Sequence, residues 1–368
     1  MSSSKNDTIN SNLPPSVLTI NKKTDHFFIS ISKKRGVHSF LMLGTYDPQE
    51  HKIQRLLCRV GKGHNLTKPN FLTNMQCICN GLFFSNPASL RDEVIYRDKI
   101  GSYPISYQAY DITYEQYIEF VQILESLQTD ENKFGCYKPI MPVGPVASEQ
   151  EDECAETTVK DQNKIKLKYN LDKVFPSRDV PQIRASVSGL DLGNTCRHSA
   201  IKLVEEVQHA PVGSLVSSSF FRELPYQTEL EYGKPSQDIP FYVLPPPPTA
   251  FVLSDEGDGV KEMILRKLYT RMEALPCLEP DSEDTQIKFS KLKELYLDLV
   301  GPKKDLTLDL LMKDIQDWKG RNKPQLEVLR KTYFWDYLPL VKRTSSTMKL
   351  LDEIENDLNS ELTTRLHG

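Results

Sequence analysis

Long apolar runs are missing from this chain. Nowhere in its 368 residues does a stretch approach the ~18 apolar residues that a membrane-crossing helix needs. The N-terminus lacks a basic segment followed by an apolar core, so no secretory signal peptide is expected. An excess of one charge is missing too. With 46 Lys and Arg against 50 Asp and Glu the net charge is −4, which argues against nucleic acid or an anionic membrane as the main partner. Cysteine is sparse: seven at irregular spacing make no disulfide framework, and the odd count points to a reducing compartment. Cys77 and Cys79 form a C-x-C without a second pair at zinc-finger spacing, so no metal and no cofactor is expected. There is no internal repeat of fixed period.

What remains is the composition of a soluble globular protein, 39% apolar and 26% charged, with length enough for two domains. Residues 1–24 are rich in Ser, Asn, Asp, Thr and Lys and read as a disordered tail. Residues 25–250 read as an α+β domain and 251–368 as a helical bundle, with Pro245 to Pro248 a stiff spacer between them. The fold class expected is therefore α+β, an antiparallel sheet followed by an all-α region.

Along the first part, Phe27, Phe28, Ile29 and Ile31 suggest a buried strand, Val37 to Tyr46 a second, and Lys52 to Val60 a third, an antiparallel meander closed by Gly61-Lys62-Gly63. Cys77, Ile78 and Cys79 are expected to be buried. Ser89 to Glu93 reads as the start of a short helix, and Tyr103, Ile105, Tyr107 and Tyr110 as a half-buried strand. Thr113-x-x-Gln116 is a capping box for a helix whose core face is Tyr117, Phe120, Val121, Leu124 and Leu127. Residues 148 to 161 are acidic and read as an exposed loop. Helices are expected over Val260–Ala274, Thr285–Val300, Leu306–Lys319, Gln325–Tyr333 and Thr347–Leu362.

Chemistry centres on Gly189 to His209. Helical spacing starts at Asn194 or Thr195, either a plausible N-cap, which puts Cys196 in the first turn. A helix N-terminus favours thiolate over thiol, and its N–H groups suit an oxyanion. His198 is two positions on, about 200° around the helix, and His209 is about 20 Å along it, so neither serves easily as base. His38, at the start of the second strand, is the better partner, with His64 as the fallback. A strand is the rigid mount that a general base needs.

The order of an early-strand His and a late helix-start Cys, with Asn194-Thr195-Cys196-Arg197-His198, resembles circularly permuted papain-like proteins, relatives of the NlpC/P60 and lecithin:retinol acyltransferase families, whose motif resembles N-C-E-H-F. Here Thr195 stands between Asn194 and Cys196. Val37-His38-Ser39-Phe40-Leu41 resembles their catalytic His strand. The resemblance implies a third polar group on the following strand. Asp47, His51 and Gln54 are available, and Gln54 is counted with Cys196, His38 and Asn194 among the candidate catalytic residues. Asn194 and the Cys196 N–H would bind the oxyanion.

A second resemblance rests on Tyr107-Gln-Ala-Tyr-Asp-Ile-Thr-Tyr-Glu-Gln-Tyr117, Phe241-Tyr-Val-Leu-Pro-Pro and the acidic block Asp352-Glu353-Ile354-Glu355. These resemble Legionella-type effectors delivered by a Dot/Icm type IV system, which implies secretion into the host cell cytoplasm. Two functional expectations follow. One is a cysteine hydrolase or acyltransferase acting on a host protein, peptide or lipid, with the C-terminal helices recruiting a host protein. The other is a non-catalytic host-protein-binding effector on a degenerate papain-like scaffold. They differ in whether a polar group reaches His38.

Overall fold

The computed structural model describes residues 16–34, 38–64, 85–93, 102–130, 132–140, 163–231, 234–235, 238–251, 258–301, 307–330 and 343–367. Cys77, Cys79 and the acidic loop at 148–161 lie outside these residues.

Strands β2 (His26–Lys34), β3 (Ser39–Asp47) and β4 (Lys52–His64) form the meander at the centre of the sheet. β2 and β3 are buried along nearly their whole length, because packing covers both faces of the sheet. That is why Phe27-Phe28-Ile29 runs apolar instead of alternating. β6 (Ser102–Ile112) flanks β2 on the other side, and β10 (Tyr226–Glu231) and β11 (Lys234–Pro235) extend the sheet beyond it. Beyond β4 come β7 (Cys136–Pro139), β8 (Lys164–Asn170) and β1 (Val17–Asn21). The short strand β12 (Val243–Leu244) runs parallel to β6; the other pairings in the sheet are antiparallel.

Two expectations change here. Residues 17–21, expected in the tail, form β1: Ile20 is buried and the strand pairs along β8 from Val17↔Lys168 to Asn21↔Lys164. Ser89 to Glu93, expected to open a helix, instead belongs to β5 (Asn86–Asp92) and the residue after it. β5 pairs the end of β4 from Val60↔Asp92 to His64↔Ala88, and its first two residues pair antiparallel with β9 (Gly189–Leu190). Ala88 and Leu90 are buried at the two-residue period of a strand, a repeat too short to be legible in sequence.

Seven α-helices are present among the described residues. α1 (Tyr114–Leu127) starts with the expected Thr113/Gln116 capping box. Tyr117 on α1 stacks on Phe27, whose side of the sheet α1 shares with α2 (Pro181–Ser188) and α3 (Cys196–Gln208). The opposite face, carrying Phe28, Tyr46 and Tyr107, meets Phe241 and the C-terminal helices α4 (Asp258–Ala274) and α5 (Glu283–Val300). α6 (Leu308–Glu327) and α7 (Ser346–His367) complete the helical part. α6 passes through Pro324, where separate helices were expected. Pro324 cannot donate to the Gly320 carbonyl, so the last turn gives up one helical hydrogen bond, and buried Leu326 carries the helix on beyond it.

The helical part is bonded to the sheet through a buried cation. Lys293 Nζ on α5 lies 2.6 Å from Asp111 Oδ2 and donates to Tyr46 Oη and the Val243 carbonyl, both at 2.8 Å. One apolar cluster runs from Ile20 in β1 to Leu358 in α7.

Candidate active site

α3 begins where the sequence places it, and Thr195 is the N-cap: its hydroxyl accepts from the His198 N–H at 3.2 Å. Cys196 is therefore the first helical residue. Leu203, Val204 and Val207 bury the helix against the sheet, so its N-terminal end abuts the start of β3. There the Ser39 N–H donates to Cys196 Sγ at 3.2 Å.

His38, immediately before β3, is hydrogen-bonded to the Cys196 thiol. Its Nε2 lies 2.5 Å from Glu93 Oε1. Glu93 follows β5, and its own N–H is anchored on the Arg59 carbonyl of β4 at 3.1 Å. Its second oxygen, Oε2, accepts from Lys34 Nζ at 2.9 Å, and the Lys34 N–H reaches back to the His38 carbonyl at 3.0 Å. Gly61, the cross-strand partner of Phe40, floors this pair. A Cβ at Gly61 would stand 2.8 Å from Glu93 Oε1 and 2.9 Å from His38 Nε2.

The electrostatics follow from these contacts. Burial disfavours a charged His38, but the hydrogen bonds to Cys196 and Glu93 and the nearby negative charge outweigh it and raise its pKa to about 9. Burial likewise disfavours the Cys196 thiolate. The bonds from His38 and the Ser39 N–H, the charge of His38 and the Arg197 N–H prevail, and the thiol is more acidic than normal. Glu93 resists burial in the same way: bonding to His38 and Lys34 holds its pKa at about 2. The arrangement is an imidazole held between a thiol and a carboxylate, each shifted toward its charged form. Such a group can supply a nucleophile, a proton carrier and a residue that fixes the ring.

Behind the thiol, Arg197 is buried. Its guanidinium donates to Ser39 Oγ at 2.9 Å and to the Ser217 and Arg222 carbonyls at 3.1 and 3.0 Å. Lys62 of β4 is 3% exposed and lies under the start of α3.

The other candidates lie differently. Gln54 does not orient His38. It is exposed at the bulge where Thr45 and Tyr46 pair with Arg55 and Ile53, seven residues before Gly61, about 23 Å along the strand. Asp47 caps the β3–β4 turn, accepting from the Gln49 and Glu50 N–H groups at 2.8 and 3.1 Å. His51 is buried against α5, with Nε2 2.9 Å from Ser290 Oγ. Asn194 sits beside the thiol in sequence, but its Nδ2 donates to the Gly189 carbonyl at 2.9 Å, and that bond holds the turn before α3 rather than facing an oxyanion. His198 bonds to Thr195 only through its backbone, and His209 Nε2 pairs with Glu119 on the outer surface at 3.1 Å. His64 is the last residue of β4.

Glu93 and Lys34 are the residues that sequence reasoning missed, and no local pattern marks either. Among the described residues no three His, Cys, Asp or Glu side chains are grouped to hold a metal ion, and no helix is long and apolar enough to cross a membrane. Compared with known proteins, the chain matches no family model, no curated protein and no solved structure.

Proposed function

We propose that this protein is a cysteine-dependent hydrolase or acyltransferase in which Cys196 is the nucleophile, His38 the proton carrier and Glu93 the residue that orients and charges the ring. The observation that carries the reading is the His38 ring bonded to the Cys196 thiol on one side and to Glu93 on the other. A scaffold that had lost catalysis would have no need to hold a carboxylate 2.5 Å from that imidazole.

The Cys196 thiolate attacks the carbonyl carbon of an amide, ester or thioester. The oxyanion that forms lies in the field of the α3 N-terminus. As the carbonyl re-forms, the bond to the leaving group breaks and the His38 imidazolium protonates the departing amine, alcohol or thiol. The resulting thioester on Cys196 is attacked by water or an amine, whose proton returns to His38, and the thiolate leaves. A permuted papain-like plan rests on the sequence resemblance, in which a histidine at an early strand precedes a cysteine at a late helix start. Delivery by a type IV system into a host cell, and host proteins or lipids as substrates, rest on the sequence resemblance. The residues that carry it also have structural roles. Tyr107, Tyr110 and Tyr117 are core residues, and Asp352 and Glu355 pair with Lys319 at 2.6 and 2.7 Å. A reporter fused to the chain and assayed in infected cells tests delivery separately.

The decisive experiment is the rate of Cys196 alkylation against pH, read by mass spectrometry, in the wild type and His38→Ala. The expected profile has an inflection well below the free-thiol value of about 8.5, lost in the variant. Incubation with p-nitrophenyl acetate should also leave an acetyl group on Cys196. A thiol that reacts slowly with no low inflection, whatever stands at position 38, would overturn the proposal.

A further inference from the structure

Gly61 and Lys62 are neighbours on β4, so their side-chain positions fall on opposite faces of the sheet. On one face Gly61 makes room for the His38–Glu93 pair. On the other, Lys62 extends beneath α3. Its Nζ donates to the Asn194 carbonyl at 2.7 Å, to the Ser186 carbonyl at the end of α2 at 2.7 Å and to Ser199 Oγ at 3.1 Å. Those acceptors bracket Cys196, two residues before it and three after, and tie the helix start to α2. A primary ammonium with three acceptors has all its protons engaged.

This cation is 3% exposed, and no carboxylate among the described residues lies within ion-pair distance of it. A lysine surrounded by carbonyls and a hydroxyl keeps its proton only at a cost, and burial lowers its pKa to about 8. The opposing influences are negative charge on Cys196 and, at longer range, Asp191. The relation between lysine and thiolate is reciprocal: each makes the other's charged form more favourable.

We propose that Lys62 is a positioning residue for Cys196, fixing the first turn of α3 and acidifying the thiol from the side opposite His38. The proposal rests on the reading of Cys196 as a nucleophile. In it, β4 holds both partners of the reactive pair, one residue serving each. The ammonium does not touch the reacting atoms. It acts through the helix it holds and through its charge.

The test is the pH profile of Cys196 alkylation in wild type, Lys62→Met and Lys62→Arg, with thermal unfolding of each. Lys62→Met should move the low inflection upward by about one pH unit, so that alkylation at pH 6 falls roughly tenfold. Lys62→Arg, which keeps the charge, should restore most of the wild-type profile. A Lys62→Met profile superimposable on the wild type, or one that Lys62→Arg does not rescue, overturns the proposal while leaving the nucleophile assignment intact. A wild type with no low inflection overturns the assignment itself. If Lys62→Met does not fold, the measurement moves to the wild-type chain with 13C-labelled lysine. The lysine that titrates near pH 8 should titrate lower once Cys196 is carbamidomethylated. An unchanged titration means that Lys62 does not feel the thiolate.

Discussion

Gly61 lies directly beneath His38: a methyl group on its Cα would stand 2.9 Å from Nε2 and 2.8 Å from the Glu93 oxygen bonded to it. The absence of a side chain at this position is what lets the imidazole and the carboxylate meet. Gly61→Ala should therefore separate them while leaving the strand pairing in place. The expected result is a Cys196 alkylation inflection shifted toward 8.5, with cooperative thermal unfolding retained. An unaltered inflection in a folded variant would show that the Glu93 contact is dispensable.

Glu93→Gln keeps the shape of the side chain and removes its charge. His38 then loses one of the interactions that lift its pKa to about 9, and the thiolate loses part of its counter-ion. The alkylation inflection should rise by about one unit, and the tenfold loss of thiolate at low pH should appear as slower alkylation there.

The same variant has a signature in stability. Glu93, held at about 2, contributes stability that is complete above its ordinary value of 4.5 and is lost as pH falls through 2. His38, raised to about 9, contributes stability that is complete below 6.5 and is lost as pH rises through 9. The unfolding free-energy difference between wild type and Glu93→Gln should be largest between pH 4.5 and 6.5 and shrink on both sides. Urea titrations at pH 3, 6 and 10 measure it.

Gln54→Ala serves as the contrast. The side chain is exposed at the far end of β4, and its loss should leave alkylation kinetics unchanged and stability within about 0.5 kcal/mol. A slowed reaction would mean that the distant turn communicates with His38.

Where the helices meet the sheet, Asp111→Ala would strand Lys293 without its carboxylate. Breaking a buried pair from one side costs about 3 kcal/mol or more, because a charge is left uncompensated. The double variant Asp111→Ala/Lys293→Met should recover most of that loss. Denaturant midpoints of the two variants decide it.

The parts of the site legible in sequence were those with a local signature. Cys196 was marked by the Thr195 cap and the apolar spacing of its helix, and His38 by the strand it precedes. Glu93 had no such mark. It acts through a strand pairing, Val60↔Asp92, between segments some thirty residues apart, and Leu90-Arg91-Asp92-Glu93 in isolation has the composition of a helix. Lys62 was equally hidden, because the Gly-Lys-Gly that carries it looks like a turn, whereas β4 runs on to His64. Most of the alternation in the sheet core was masked for another reason: with both faces covered, β2 and β3 have no solvent side, and even the polar Ser30 and Ser32 are buried.

The proposed reactive pair and its orienting carboxylate stand just before β3, just after β5 and at the start of α3, with Glu93 55 positions beyond His38 and Cys196 about a hundred beyond Glu93. No short peptide from this chain contains two of them. An unfolded or newly made chain would carry an ordinary, sluggish thiol at position 196, and only the assembled sheet would convert it into an acid. Electrophile labelling of Cys196 at mildly acidic pH would thus act as a conformational clock, reporting the moment when β4, β5 and the first turn of α3 come together.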